Sequence, residues 1–340
     1  MVFDEAEEFS MTALKVAIDD GYAYTKLAWF DERGAISTFA IPSLALSGLQ
    51  GGVINLDGRA IHAYETEGQT FTVGPFPKAE STDFAEYPVS PLNRVIIHHA
   101  LVKAGLNDQL IEPGLTLPFD VYYKQVDLRK RRLEALEKPV TCISEDIPLA
   151  RFTHPRVYPE AAAAWIDAYI DERGEPVRDM NSMGPVAIVD IGGRTTDIAV
   201  FLGAGMIDQS RSGTEKLGVL DVLGIIEERI AEANHGIRIS RHQAEHALRT
   251  GKVHIFKEVD VSSIVREAKD MVVQGLYRVL QRRIERAFEL EDILFIGGGA
   301  EVMREALVGQ ADFPQARVLP DPQFANARGV LKYMTYIDEE

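Results

Sequence analysis

Cysteine is almost missing from this chain. Cys142 is the one example in 340 residues, which excludes a disulfide framework and any cysteine-based zinc site, as expected of a reducing compartment. Long apolar runs are missing too. None approaches the roughly 20 residues needed to cross a bilayer, and no basic, apolar leader precedes the first candidate strand, so the expectation is a cytoplasmic protein with no membrane contact. Positive charge is scarce: 36 Lys and Arg stand against 52 Asp and Glu, for a formal net charge of −16. That balance opposes direct binding to nucleic acid, where clustered cations must neutralise phosphates. A histidine-based metal motif is also lacking. His98 and His99 point about 100° apart on a helix, and His242 and His246 are not part of a His-Glu-x-x-His motif.

What is present suits a two-domain protein, with 46% hydrophobic and 26% charged residues over this length. The most informative stretch runs from Val186 to Phe201. A β-branched apolar run reaches Asp190, two glycines and two threonines follow, and a second strand begins at Asp197. Such a turn suits phosphate. Gly192 and Gly193 let backbone approach anionic oxygens, Thr195 and Thr196 add hydroxyl donors, and Asp190 can hold a Mg²⁺ ion through its water shell. Alone, the stretch also fits an ordinary buried hairpin with a glycine turn.

A second copy changes the balance. The run Val16-Ala17-Ile18-Asp19-Asp20-Gly21-Tyr22 turns and returns as a strand carrying Lys26, and Asp19 and Asp190 stand about half a chain apart. That spacing predicts two similar domains with one phosphate hairpin each. A third glycine turn, Gly297-Gly298-Gly299, follows a buried strand and opens a helix, where bare backbone could receive an adenine ring and its ribose.

These elements, in this order, resemble the actin-like ATPase superfamily of actin, heat-shock ATPase chaperones and sugar kinases. More narrowly, Val95-Ile96-Ile97-His98-His99-Ala100-Leu101, Leu115-Thr116-Leu117-Pro118-Phe119-Asp120-Val121-Tyr122-Tyr123, Pro159-Glu160 and Leu217-Gly218-Val219 are similar to the ParM (StbA) family of plasmid-segregating actin-like proteins. The resemblance implies an α/β, actin-like fold of the duplicated, ribonuclease-H-like kind, with two domains flanking a nucleotide cleft. It implies a polymerising ATPase using ATP, with GTP left open, and Mg²⁺. It also implies self-assembly into filaments and a DNA-binding adaptor of the ParR type on a centromere-like site. By the same resemblance, Asp19 and Asp190 organise Mg²⁺ mainly through water. Asp20, Gly21, Tyr22 and Lys26 face the phosphates together with Gly192, Gly193, Arg194, Thr195 and Thr196. Glu160 orients the attacking water, Glu215 and Lys216 contact ribose and base, and Gly297, Gly298 and Gly299 accept the adenosine. Two residues depart from the family pattern: Tyr22 stands where a serine is common, and Arg194 where a small or polar residue is commoner.

In chain order, 1–12 is acidic and expected to be a flexible tail. Domain I is expected over 13–180 plus 318–340, with a small β-rich subdomain inserted at about 40–87. Domain II is expected over 181–317, with its own subdomain at about 211–261. Ser90 and Pro91 read as N-cap and first turn of a helix ending at Gly105, and Pro159 as a first-turn residue of the next domain I helix. A helix over Val121 to Lys138 carries Arg129-Lys130-Arg131-Arg132, either a solvated face or an electrostatic contact to a filament neighbour. Ser262 opens the longest helix, its apolar stripe running to Phe288. Two rivals remain open. A small-molecule kinase of the superfamily would need a catalytic Asp in domain I, for which no candidate stands out, and a chaperone-like switch would normally carry a peptide-binding domain.

Overall fold

The computed structural model describes residues 12–338, apart from 50–61, 75, 77, 78, 81, 83, 181 and 204. The expected tail, Thr12 excepted, lies outside the described residues. Two mixed sheets repeat one plan. In the first, Leu14–Asp20 pairs antiparallel with Tyr24–Phe30, which pairs with Ile36–Pro42. On its other side Leu14–Asp20 runs parallel to Leu110–Leu117, and that strand runs parallel to Arg156–Pro159. In the second, Val186–Ile191 takes Thr196–Phe201 and then Gly213–Glu215 on its antiparallel side, and Asp292–Ile296 and then Ala316–Val318 on its parallel side. Setting aside the two-residue strand Arg151–Phe152, which pairs with Leu110–Leu117 off this path, both sheets have the order third, second, first, fourth, fifth. The continuous β-branched run Val186–Ile191 is buried at every position, as expected of a strand covered on both faces.

Register carries the repeat down to single residues. Asp19 lies opposite Lys26 in one hairpin and Asp190 opposite Asp197 in the other. Each aspartate ends a central strand with an antiparallel neighbour on one side and a parallel one on the other. Such switch points at the carboxyl ends of strands open a crevice.

The domains exchange helices. Ala162–Tyr169 follows the last strand of the first sheet but packs on the second, where Trp165 stacks on Phe201 at 5.4 Å. Ala325–Tyr336 follows the last strand of the second sheet and covers Ala17 and Ala28 of the first. The two helices cross at Gly329, where a Cβ would lie 1.7 Å from the Ala163 carbonyl oxygen, so only glycine allows this approach. Asp167 beside the crossing receives both Arg328 and Lys332.

Smaller elements surround this frame. The Ser90 hydroxyl caps its helix by accepting from the Asn93 N–H at 3.1 Å, Pro91 opens the first turn, and Gly105 takes φ 74° beyond the end. Ala45–Ser47, Gln69–Val73, Ala63–Thr66 and Thr141–Cys142 form a separate four-stranded sheet. The helix expected over Val121 to Lys138 is two helices, Phe119–Lys124 and Val126–Leu136, broken at Gln125 with φ −119° and ψ 66°. The long helix is Ser262–Arg283. Its expected stripe overreaches, because Met271 is 44% exposed and Phe288, beyond the helix, is 80% exposed. No helix among the described residues is long and apolar enough to cross a membrane.

Candidate functional site

The ends of the two central strands face one cleft of about 550 Å³, and both glycine turns line it. The turns come close: a Cβ on Gly193 would sit 3.4 Å from the Ala23 Cβ. Across the mouth, Arg249 of the helix Arg241–Thr250 donates to the Tyr24 hydroxyl. Burial and Glu160 raise the Tyr22 phenol while Arg194 lowers it, so residues of both turns lie within electrostatic reach of that hydroxyl.

Carboxylates cluster in the cleft. Asp19, Asp190 and Asp197 are 2%, 7% and 2% exposed, and Glu160 joins them in the lining. Lys26 Nζ donates to Asp19 Oδ2 at 2.8 Å. Thr116 Oγ1 lies between Asp19 Oδ1 at 3.3 Å and Glu160 Oε1 at 3.2 Å. Burial, then repulsion from Asp19, Asp197 and Asp190, holds the Glu160 carboxyl well above the usual carboxylate range, against the pull of Lys26. Burial and Asp19 push Asp190 up to about 6, while Lys26 and a hydrogen bond from Asn326 oppose the rise. Asp197 goes to about 7, chiefly through burial, although a hydrogen bond from Thr214 resists. For Lys26, burial works the other way, but Asp19, Asp190 and Glu160 outweigh it and hold the ammonium above its ordinary value. Four carboxylates around one ammonium leave an excess of negative charge that a cation would relieve.

This donor set fits Mg²⁺, which prefers hard oxygen ligands and retains several waters. Among the described residues no group of three or more His, Cys, Asp or Glu side chains is placed to hold an ion directly. Asp19 and Asp190 would hold it, one from each domain.

Several expected residues take other roles. The Asp20 carboxylate lines the cleft but is held from behind by Arg132 and Asn93. Arg132 thus leaves the basic cluster for the interior, and its neighbours are engaged as well: Arg131 pairs with Glu86, Lys130 with Glu134, and Arg129 lies 4.5 Å from the Tyr122 ring centre. Thr196 is fully buried, and its hydroxyl donates to the Leu217 carbonyl at 2.8 Å. Glu215 binds Arg283 and Lys216 is exposed; neither lines the cleft. The Gly192 N–H closes its own turn by donating to the Thr195 carbonyl at 2.8 Å. Gly297 and Gly299 lack side chains because Asp190 and Ile191 fill that space, with an added Cβ meeting them at 2.3 and 2.4 Å; Gly298 alone of the three has open space.

Glu160 lies in the cleft wall but not in a helical first turn. Pro159 ends a strand, and Ala161 then adopts φ 61° and ψ −41° before the helix begins at Ala162. The Ala162 N–H donates to the Glu160 carbonyl at 2.7 Å, closing a γ-turn of the strained, positive-φ kind. Sequence reasoning gave no site role to Thr116, Asp197, Asn326, Arg249 or Glu301, all of which line the cleft. The hairpin duplication could have flagged Asp197 as the counterpart of Lys26.

Comparison with known proteins agrees with this architecture. Residues 14–161 match the family model "Plasmid segregation protein ParM, N-terminal", and residues 188–309 match "Archaeal actin homologue MreB-like, C-terminal". No curated protein matches the sequence. Among solved structures, Ta0583, an archaeal actin homologue in complex with ADP, superposes with a TM-score of 0.76 at 18% identity, over 94% of this chain and 99% of its own. The subunit of a 15-stranded ParM filament from Clostridium botulinum gives 0.72 at 19% identity, over 95% and 99%. Bacillus thuringiensis ParM with ATP gives 0.67 at 16% identity, over 94% and 97%. The fold is actin-like.

Proposed function

We propose that this ParM-like actin homologue is an ATPase that binds Mg-ATP in its interdomain cleft, assembles with copies of itself into filaments, and segregates plasmid DNA through a ParR-type adaptor on a centromere-like site. The observation that carries the reading is the convergence of two topologically equivalent hairpin turns on one cavity, with Asp19 and Lys26 on one side and Asp190 on the other. Relatives of the same fold described with ADP, with ATP and as a filament support the nucleotide and the assembly. The net charge of −16 supports an adaptor in place of direct DNA contact. The proposed location is the cytoplasm.

The chain's own groups divide the work of phosphoryl transfer, which is mostly positioning and electrostatic stabilisation. Lys26 offsets negative charge on the phosphates. Glu160 orients the attacking water and, in its ionised form, takes the proton of that water as general base. A bound Mg²⁺ would neutralise phosphate charge. Because the turns belong to different domains, a ligand gripped by both biases the domain angle, and with it the surfaces offered to neighbouring subunits. Light scattering and phosphate release after adding Mg-ATP to the purified chain test the proposal together. Scattering that rises and then decays as phosphate appears supports it; ADP formed only when a sugar is added, with the phosphoryl group passing to that sugar and no phosphate released, overturns it.

A further inference from the structure

One side chain ties the proposed base to the proposed metal aspartate. Asn326, 4% exposed, lies in the first turn of the helix that returns from the second domain to the first. Its Nδ2 donates to Asp190 Oδ2 at 2.6 Å, and its Oδ1 accepts the Ala161 N–H at 3.1 Å. The amide has only one workable orientation. Turned over, its oxygen would face a carboxylate and its NH₂ would face an N–H donor. The Ala161 N–H belongs to the residue at the centre of the strained γ-turn, which follows Glu160 directly and closes on the Glu160 carbonyl. A conformation of that kind is strained and persists only where its surroundings hold it.

We infer that Asn326 is a positioning residue that fixes Glu160 relative to Asp190 by holding the Ala161 turn with its oxygen and the Asp190 carboxylate with its nitrogen. The inference rests on the proposed roles of those two carboxylates. It divides the amide into halves that can be removed separately. Asn326→Ala removes both. Asn326→Asp keeps the acceptor for the Ala161 N–H but replaces the donor to Asp190 with a second carboxylate.

Steady-state hydrolysis and calorimetric affinity for Mg-ATP and for metal-free ATP, measured on the full chain, separate the roles. For Asn326→Ala, kcat is expected to fall at least tenfold and affinity for Mg-ATP to weaken. For Asn326→Asp, kcat stays within threefold of the parent, while the ratio of Mg-ATP affinity to metal-free ATP affinity changes at least tenfold. A merely structural residue would lower the thermal midpoint in both variants without splitting kcat from KM in this way. The inference is overturned if Asn326→Ala leaves kcat and KM within twofold of the parent, or if both variants change the two constants alike. Should Asn326→Ala fail to fold, the near-isosteric Asn326→Asp decides alone. Glu160→Gln separates this inference from its premise. If that variant hydrolyses ATP normally, the role of Glu160 fails, yet the Mg-ATP affinity of Asn326→Asp still judges the Asp190 half. If it is inactive while both Asn326 variants match the parent, the reading of Glu160 stands and the inference falls.

Discussion

Replacing Arg132 by leucine would show how the first glycine turn is held in place. The Arg132 side chain is 2% exposed; it donates to an Asp20 oxygen and, through Nη1, to the Pro88 carbonyl at 3.0 Å. The other Asp20 oxygen accepts from Asn93. Leucine would restore part of the lost volume but leave Asp20, 8% exposed, as a buried carboxylate with one neutral donor. Breaking a buried pair from one side costs about 3–5 kcal/mol because the remaining charge is uncompensated, whereas an exposed pair contributes about 1 kcal/mol or less. Arg132→Leu should therefore lose about 3–5 kcal/mol of first-domain stability, and adding Asp20→Asn should recover most of it. Urea unfolding followed by Trp29 fluorescence, with Trp165→Phe in every variant, reports the first domain alone. A loss below about 1 kcal/mol, or a double variant no more stable than Arg132→Leu, would refute the assignment of a buried, mutually dependent pair.

Two further outcomes follow from the same groups. Glu160→Gln should bind Mg-ATP with the parent affinity and still raise light scattering, while phosphate release slows by about 10²–10⁴-fold, the usual contribution of a positioned base; unchanged release would remove Glu160 from the chemistry. Burial, with Arg94 adding, lowers His98 to about 4. The unfolded chain, with an ordinary histidine near 6.5, therefore binds the extra proton as pH falls from 7 toward 4, and this depressed pKa costs stability at acid pH. The raised carboxyls of the cleft act in the opposite sense, so the test is a difference: between pH 7.5 and 5 the parent should lose about 2 kcal/mol more than His98→Leu. Equal losses in urea unfolding at the two pH values would contradict the burial of a neutral His98.

The parts of the fold that were legible are those encoded by neighbours in sequence. Val186 to Phe201 declares its strand, turn and strand within sixteen letters, and Ser90-Pro91 and Gly105 mark both ends of a helix through capping chemistry that needs no tertiary partner. The duplication was legible because each copy carries its own aspartate and glycine turn. What escaped depends on residues far apart in the chain. Arg132 looked like one of four surface cations, and only the fold brings it to Asp20. Gly297, Gly298 and Gly299 read as bare backbone for a ligand, and all three line the cleft, but only the fold shows that Asp190 and Ile191 exclude a side chain at the first and third. Pro159 read as a helix opener because proline is common there, yet it ends a strand, and the γ-turn at Ala161 has no signature in an alanine-rich run. Asn326 is one polar letter in a small-residue segment, and its importance appears only when Asp190 and Ala161 converge on it.

The central claim is that two turns from two domains close on one ligand. Calorimetric titration of Mg-ATP into the parent, Asp19→Ala and Asp190→Ala tests it most directly. One site per chain, weakened at least tenfold by either substitution, is the predicted result. Full-affinity binding in either variant, or two independent sites each lost by a different substitution, would contradict it.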